Sequence, residues 1–395
     1  MSIIQIIHSP GINKLREEKY VVDIRPNNYL AIHDVPYVDN QCEVRLGILV
    51  SDLTLLDDGT PRGHQVFFSG EHPCNNLGQQ LTGVGLQDPP LKIDDNLTAH
   101  YMISKKINNG YVDYYHKMTT YIEILSRYAK TLDDKATAKT GRVIESEFRE
   151  SVFRYSDNAP SRAFTLDAFR KLETLGKIAI VGLGGTGSYV LDLVAKTPVR
   201  EIHLFDRDDF LQHNAFRSPG AASVDDFGKK LKKVDYLHDC YSQMRYNIVP
   251  HDVHIEASNV QYLEEMNFVF ICVDSNDARI PIIEYLEKQG ISFIDVGMDL
   301  GLGDEGLSGI AHIKTSVPGM PLQGREKNRM PSGGGNGRDV YGSNIQIADL
   351  NSLNATLAVI KWKKLFGFYF DAKKEHYTTY TTSGNMLLNE DKNSA

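Results

Sequence analysis

Hydrophobic and polar positions along the chain fall into three textures. Through residues 1–140 short apolar runs alternate with turns; 44–56 and 65–68 read as strands around the turn Asp57-Asp58-Gly59. Tyr115, Met118, Ile122 and Leu125 recur at helical spacing, which predicts a helix over 112–128. This region reads as a small α+β domain. A polar, charged stretch follows from about 132 to 160, and 141–160 reads as a linker with some local helix. Near Ser161 the pattern changes. A short helix over 165–175 leads into apolar strands at 178–181, 201–205, 268–273 and 292–296, with helices between them. Continuous apolar strands alternating with helices indicate a parallel sheet covered on both faces. Residues 316–344 are irregular and glycine-rich, a helix over 345–366 carries the single tryptophan, Trp362, and 371–395 reads as a tail.

Composition narrows the class. A length of 395 residues allows two domains and leaves room for a third. With 41% hydrophobic residues the chain buries a core and is not disordered. The net charge of -8 gives no drive toward nucleic acid or an anionic membrane. No apolar run approaches the ~20 residues of a membrane span, and the first residues lack a signal-peptide profile, so a cytoplasmic protein is expected. The four cysteines (Cys42, Cys74, Cys240, Cys272) are scattered, with no Cys-x-x-Cys pair. Neither structural zinc nor a disulfide framework is expected.

The strongest local signal is KIAIVGLGGTGSYVLDLVAK. A strand ends at Val181, the turn carries Gly182, Gly184, Gly185 and Gly187, and a helix begins near Ser188. Glycine permits the tight turn and lets phosphate approach the backbone, while the helix start offers unpaired N–H groups to the anion. Asp206, 19 residues beyond Gly187, stands where a carboxylate accepts ribose hydroxyls. This pattern binds a nucleotide but does not separate NAD from ATP. An NAD(P)-dependent oxidoreductase is therefore an open alternative, as is a non-catalytic nucleotide-binding scaffold.

Past Asp206 the chain reads FDRDDFLQHNAFRSPG, then GKKLKKVDY, then FVFICVDSNDAR. Over about 161–370 it resembles the adenylating enzymes of the ThiF/MoeB and ubiquitin-activating type. The matching elements are the glycine loop with Ser188, Asp206 with Asp208, Asn214 with Arg217, Lys233, and Asp274 with Arg279. The resemblance implies a Rossmann-like, mostly parallel sheet and an adenylyltransferase using ATP and Mg²⁺. It places Asp206 at the ribose, Asn214, Arg217 and Lys233 at the phosphates, and Asp274 at the metal. Lys232 competes with Lys233 for that role. In PSRAF, Arg162 matches the family's upstream arginine, which often reaches the ATP of the other subunit; a homodimer is implied. The segment 316–344 corresponds to the crossover loop. The implied partner is a ubiquitin-like protein ending in glycine, with a ubiquitin-conjugating-type protein as a further one.

Two departures matter. The family's zinc-binding Cys-x-x-Cys pairs are missing, and no cysteine lies between Asp295 and Ala395 to serve as a thioester nucleophile. Cys272 reads as core and Cys240 as packed. Ser332, in MPSGGGNG, is a candidate acyl acceptor, although a serine needs a general base. In the first domain, His72-Pro73-Cys74 is faintly similar to the His-Pro-x-Asn turn of ubiquitin-conjugating enzymes, and a partly exposed Cys74 beside His72 would be open to activation. That domain is expected to recruit a partner or to build the dimer.

Overall fold

The computed structural model describes residues 9–56, 60–144, 151–155, 166–304, 306–322 and 347–389. The chain divides into two compact units, Met1–Phe164 and Thr165–Ala395. No helix among the described residues is long and apolar enough to cross a membrane.

The first unit runs α1 (Pro10–Glu17), β1 (Val21–Arg25), β2 (Tyr29–Val38), β3 (Val44–Asp52), β4 (Gln65–Ser69), β5 (Val84–Lys92), β6 (Thr98–Ser104) and α2 (Tyr114–Leu132). Its strands form an antiparallel sheet in the order β1-β2-β3-β4-β6-β5. Ile12 and Leu15 of α1 and Met118 and Leu125 of α2 pack with Leu30, Ile32 and Phe68 of the sheet. The Asp113 carboxylate caps α2 by accepting the His116 N–H at 2.7 Å. The helix expected over 112–128 is therefore present and runs on to Leu132. The first residues of the expected linker are tied to this unit, because Arg142 pairs with Asp34 at 2.7 Å.

The second unit runs α3 (Leu166–Glu173), β7 (Lys177–Val181), α4 (Gly185–Ala195), β8 (Glu201–Phe205), α5 (Gln212–Ala215), α6 (Val224–Gly228), α7 (Lys233–Tyr241), β9 (Ile248–His251), a 3₁₀ turn (Val260–Leu263), β10 (Phe268–Ile271), α8 (Asn276–Gln289), β11 (Ser292–Gly303), β12 (Gly306–Ser316), α9 (Ala348–Leu365), β13 (Tyr377–Thr381) and β14 (Met386–Asn389). The sheet order is β14-β13-β12-β11-β10-β7-β8-β9. Strands β11, β10, β7, β8 and β9 are parallel, while β12, β13 and β14 add antiparallel pairs at one side. The parallel, doubly covered α/β sheet expected from the sequence is thus the observed fold. Within the segment expected as a tail, β13 and β14 belong to the sheet. Trp362 of α9 is fully buried against Phe270 and Phe268 on one face. On the other, Ile282 and Leu286 of α8 pack with Phe293 and Val269. The chain reverses direction across the sheet between β7 and β10, the position where open α/β sheets bind ligands.

Candidate functional site

The site is built at the carboxyl edge of β10, β7 and β8. Ile271 aligns with Val181, and Val181 with Phe205, so the three following loops leave the sheet side by side. The backbone of the first loop is held by its neighbours: the Gly182 N–H donates to the Phe205 carbonyl at 2.9 Å.

The glycines have separate duties. Gly182 sits at φ +89, and a Cβ there would lie 2.8 Å from the Cys272 carbonyl oxygen. A Cβ on Gly187 would come within 1.9 Å of the Gly182 oxygen, so α4 can approach the strand only without one. On Gly185 it would meet the Asn351 amide at 2.3 Å. Gly184, the N-cap residue of α4, faces open space, with nothing within 4 Å of an added Cβ. Protein packing does not account for glycine there; room for a ligand at the helix start does. Ser188 is fully buried, and its hydroxyl donates to the Gly185 carbonyl at 2.8 Å.

Asp206 and Asp208 end β8 in different ways. Asp206 is buried, and its two oxygens accept the Leu183 and Asp208 N–H groups at 2.7 and 2.8 Å. It ties the glycine loop to the next strand. Asp208 is the open carboxylate, with its side chain 56% exposed. Lys233, the first residue of α7 and itself buried, places Nζ 2.6 Å from Asp208 and 3.6 Å from Asp206. Lys232 turns the other way, to Asp209 at 2.7 Å and to the Arg207 carbonyl. Of the two lysines, Lys233 is the one that faces Asp206 and Asp208. His254 Nε2 stands 3.3 Å from the second Asp208 oxygen. Burial by itself would raise the Asp208 pKa, but Lys233, backed by His254, outweighs it and holds the carboxyl below its ordinary value.

Asn214 is buried, and its Oδ1 accepts the Leu211 N–H at 2.8 Å. Its Nδ2, like the Arg217 Nε, is buried with no hydrogen-bond partner among the described residues. Buried donors of this kind are costly unless something accepts from them. His213 completes the group: burial first, then the charges of Arg217 and Lys233, depress its pKa. The charges of Arg217 and Lys233 thus act on one imidazole, and a group of cationic and neutral donors of this kind fits a polyphosphate.

Asp274 lies in the loop after β10 and is exposed. Arg279 supports that loop, donating to the Val273 carbonyl and to Asn276 at 2.8 Å while its Nε lies 2.9 Å from the buried Asp295. The carboxylate and imidazole groups that converge on a common point are Asp206, Asp208 and His254, with Asp274 apart from them. His213 and His254 escaped the sequence reading because a single histidine in a loop carries no pattern. His213 had a weak signal in preceding Asn214 directly. Arg162 and Ser332 lie outside the described residues.

The cysteines correct two expectations. Cys74 is buried, 1% exposed, rather than partly exposed; its amide donates to the Val38 carbonyl at 2.7 Å and burial pushes the thiol pKa up. Its thiol donates to the His72 carbonyl at 3.3 Å, while His72 Nδ1 is engaged with the Pro73 carbonyl and not with the sulfur. Cys240 is exposed near the end of α7 rather than packed. Cys272 has its pKa raised by burial, as expected of a core thiol.

The fold and the loop at the reversal point define the second unit as a Rossmann-like α/β domain with a glycine loop at its switch point. Residues 155–304 match the ThiF family, and this unit therefore carries a ThiF-type domain. Residues 10–158 match a domain of unknown function, DUF6791. The chain is similar to ubiquitin-like modifier-activating enzyme 5 of Drosophila grimshawi, with 26% identity over 153 residues, 36% of this chain and 37% of that protein. It is similar to tRNA threonylcarbamoyladenosine dehydratase of Haemophilus influenzae, with 24% identity over 158 residues, 40% of this chain and 60% of that one. Both matches span less than two thirds of the relative. Among solved structures, the crystal structure of E. coli MccB with ATP aligns with TM-score 0.44 and 19% identity, over 57% of this chain and 65% of that one.

Proposed function

We propose that this chain is an adenylyltransferase of the ubiquitin-activating type, joining the C-terminal carboxylate of a ubiquitin-like protein to AMP. The observation that carries the reading is a pair of buried donors, Asn214 Nδ2 and Arg217 Nε, with no hydrogen-bond partner among the described residues, next to His213, on which the charges of Arg217 and Lys233 both act. Attack of a carboxylate on the α-phosphorus of ATP builds negative charge on phosphate oxygens, and fixed cations placed there lower the barrier. Lys233 and Arg217 would meet that charge, and Asn214 would donate to the same phosphates. Asp208, the exposed carboxylate at the end of β8, would accept ribose hydroxyls; Asp206, to which the family resemblance assigns that role, has both oxygens engaged with backbone amides. Asp274 would hold Mg²⁺, which would supply positive charge against the negative charge of the phosphates. A narrow channel to the phosphorus would select a tail ending in glycine. The proposal extends to a homodimer in which Arg162 serves the other copy's site, to a ubiquitin-conjugating-type partner, and to acyl transfer onto Ser332 or another nucleophile.

Calorimetry with ATP·Mg²⁺ and with NADH decides the nucleotide. Binding of ATP alone is expected, weakened about 100-fold in Lys233→Ala through loss of a charge-assisted contact. Lys232→Ala should bind as the parent does. Pyrophosphate exchange into ATP should require a small protein ending in glycine and vanish in Asp274→Ala; exchange surviving that change would sink the metal assignment. Binding of NADH in place of ATP would overturn the whole reading.

A further inference from the structure

We propose that Asp299, His312 and Tyr377 form a proton relay that makes the Tyr377 phenol an acyl acceptor, an inference that rests on the adenylation reading above. The three residues stand on adjacent strands, β11, β12 and β13. Gly297 pairs with His312 and Lys314 pairs with Tyr377, and strand alternation then puts Asp299, His312 and Tyr377 on one face of the sheet. His312 Nε2 lies 2.8 Å from Asp299 Oδ2, and His312 Nδ1 lies 3.0 Å from the Tyr377 hydroxyl. A carboxylate only accepts, so Nε2 carries the proton and Nδ1 is left to accept from the phenol. A nucleophile, a base and a group that orients the base are thus in hydrogen-bond order. The imidazole is largely shielded, with its side chain 14% exposed, and Asp299 is 43% exposed. Tyr377 is half-buried, and its hydroxyl faces the imidazole.

The location suits the role. Strand β11 runs parallel to β10, and Asp295 aligns with Ile271, the last residue of β10. Asp299 lies four residues further on, about 13 Å past that edge. The relay therefore stands beyond the same edge from which the glycine loop and Asp274 emerge. Asp295 shares its face and, through Arg279, is linked to the loop bearing Asp274.

The chemistry balances. The phenol oxygen attacks the carbonyl carbon of the acyl-adenylate and its proton passes to Nδ1. The bond from that carbon to the phosphate oxygen breaks, and AMP leaves with the electron pair. The product is an aryl ester and an imidazolium held by Asp299. Phenol and thiol have ordinary pKa values of about 10 and about 8.5, so a phenolate leaves almost as readily as a thiolate. An aryl ester can thus replace the thioester in a chain with no cysteine after Cys272.

The test uses a preformed mixed anhydride, N-acetylglycyl-AMP, with the full chain, mapping acylation by mass spectrometry of tryptic peptides. The expected result is acylation of Tyr377, removed by hydroxylamine and absent in Tyr377→Phe. His312→Gln should slow it about 100-fold, the usual worth of a general base, with ATP affinity and thermal midpoint unchanged. Asp299→Asn, at an exposed carboxylate, supplies the same slowing should the histidine variant fold poorly. Acylation confined to Ser332 or to lysines, or an undiminished rate in both relay variants, would overturn the relay. Because the reagent bypasses adenylation, loss of ATP binding in the parent protein would count against the adenylation reading alone.

Discussion

Single residues in the glycine loop divide into those the fold needs and those only a ligand needs. An alanine at Gly187 would press its methyl into the Gly182 carbonyl, whereas at Gly184 it would point into open space. Gly187→Ala is therefore expected to destabilise the second unit by about 3 kcal/mol or more, the upper range for overpacking. Gly184→Ala should leave the thermal midpoint within a degree or two and weaken ATP·Mg²⁺ at least 10-fold, since the methyl occupies ligand space. Scanning calorimetry and titration calorimetry on both variants check this; equal effects of the two substitutions on both readouts would refute the division. The sequence showed the loop as one motif. It could not show which carboxylate is spent on backbone, because only the fold buries Asp206 against the Leu183 and Asp208 amides and leaves Asp208 open. The facing of Lys233 was equally hidden, since adjacent lysines are equivalent until the β8–α7 geometry turns one inward.

At the scale of elements, legibility followed burial pattern. The helix α2 and the strands β7, β8 and β10 carry clear periodicity or clear apolar runs and were read close to their true bounds. Strand β2 is buried at nearly every position, so it shows no alternation to distinguish it. Strand β5 contains Asp88-Pro89-Pro90 and survives because it is an edge strand, where missing N–H donors cost little. The adjoining strands β8 and β9 hold a titratable pair that no pattern announces. His203 Nδ1 lies 3.0 Å from His251 Nε2, and the rings of His251 and Phe205 stack at 4.3 Å. Burial lowers both histidine pKa values; Glu201 partly opposes this at His203, and the His203 charge adds to it at His251. Below pH ~6.5 the unfolded chain then binds protons that the folded chain refuses, so stability falls as pH drops. Urea midpoints at pH 7.5 and 5.5 should separate more in the parent than in a His203→Gln, His251→Gln double variant. An identical pH dependence would assign acid sensitivity to the carboxylates instead.

For the whole molecule, the two units have separate cores, one around Phe68 and Met118 and the other around Trp362 and Phe270. The two compact units divide between Phe164 and Thr165. The purpose of the first unit was beyond reading, because an antiparallel sheet with two helices displays packing in its sequence and little chemistry; its one suggestive thiol, Cys74, turns out to be core. Apart from Arg162, the residues proposed to face the nucleotide lie in the second unit, and a ligand stabilises only what binds it. Fragments spanning 9–144 and 166–395 should each unfold cooperatively. At 100 times its dissociation constant, ATP·Mg²⁺ should add about 2.7 kcal/mol to the second fragment, raising its midpoint by roughly 5–10 °C, and leave the first unchanged. In the full chain the same addition should move only the transition carrying the Trp362 fluorescence signal. A shift of the isolated first fragment with ATP would mean that it holds a nucleotide site of its own, and the division of labour argued from the two cores would fall.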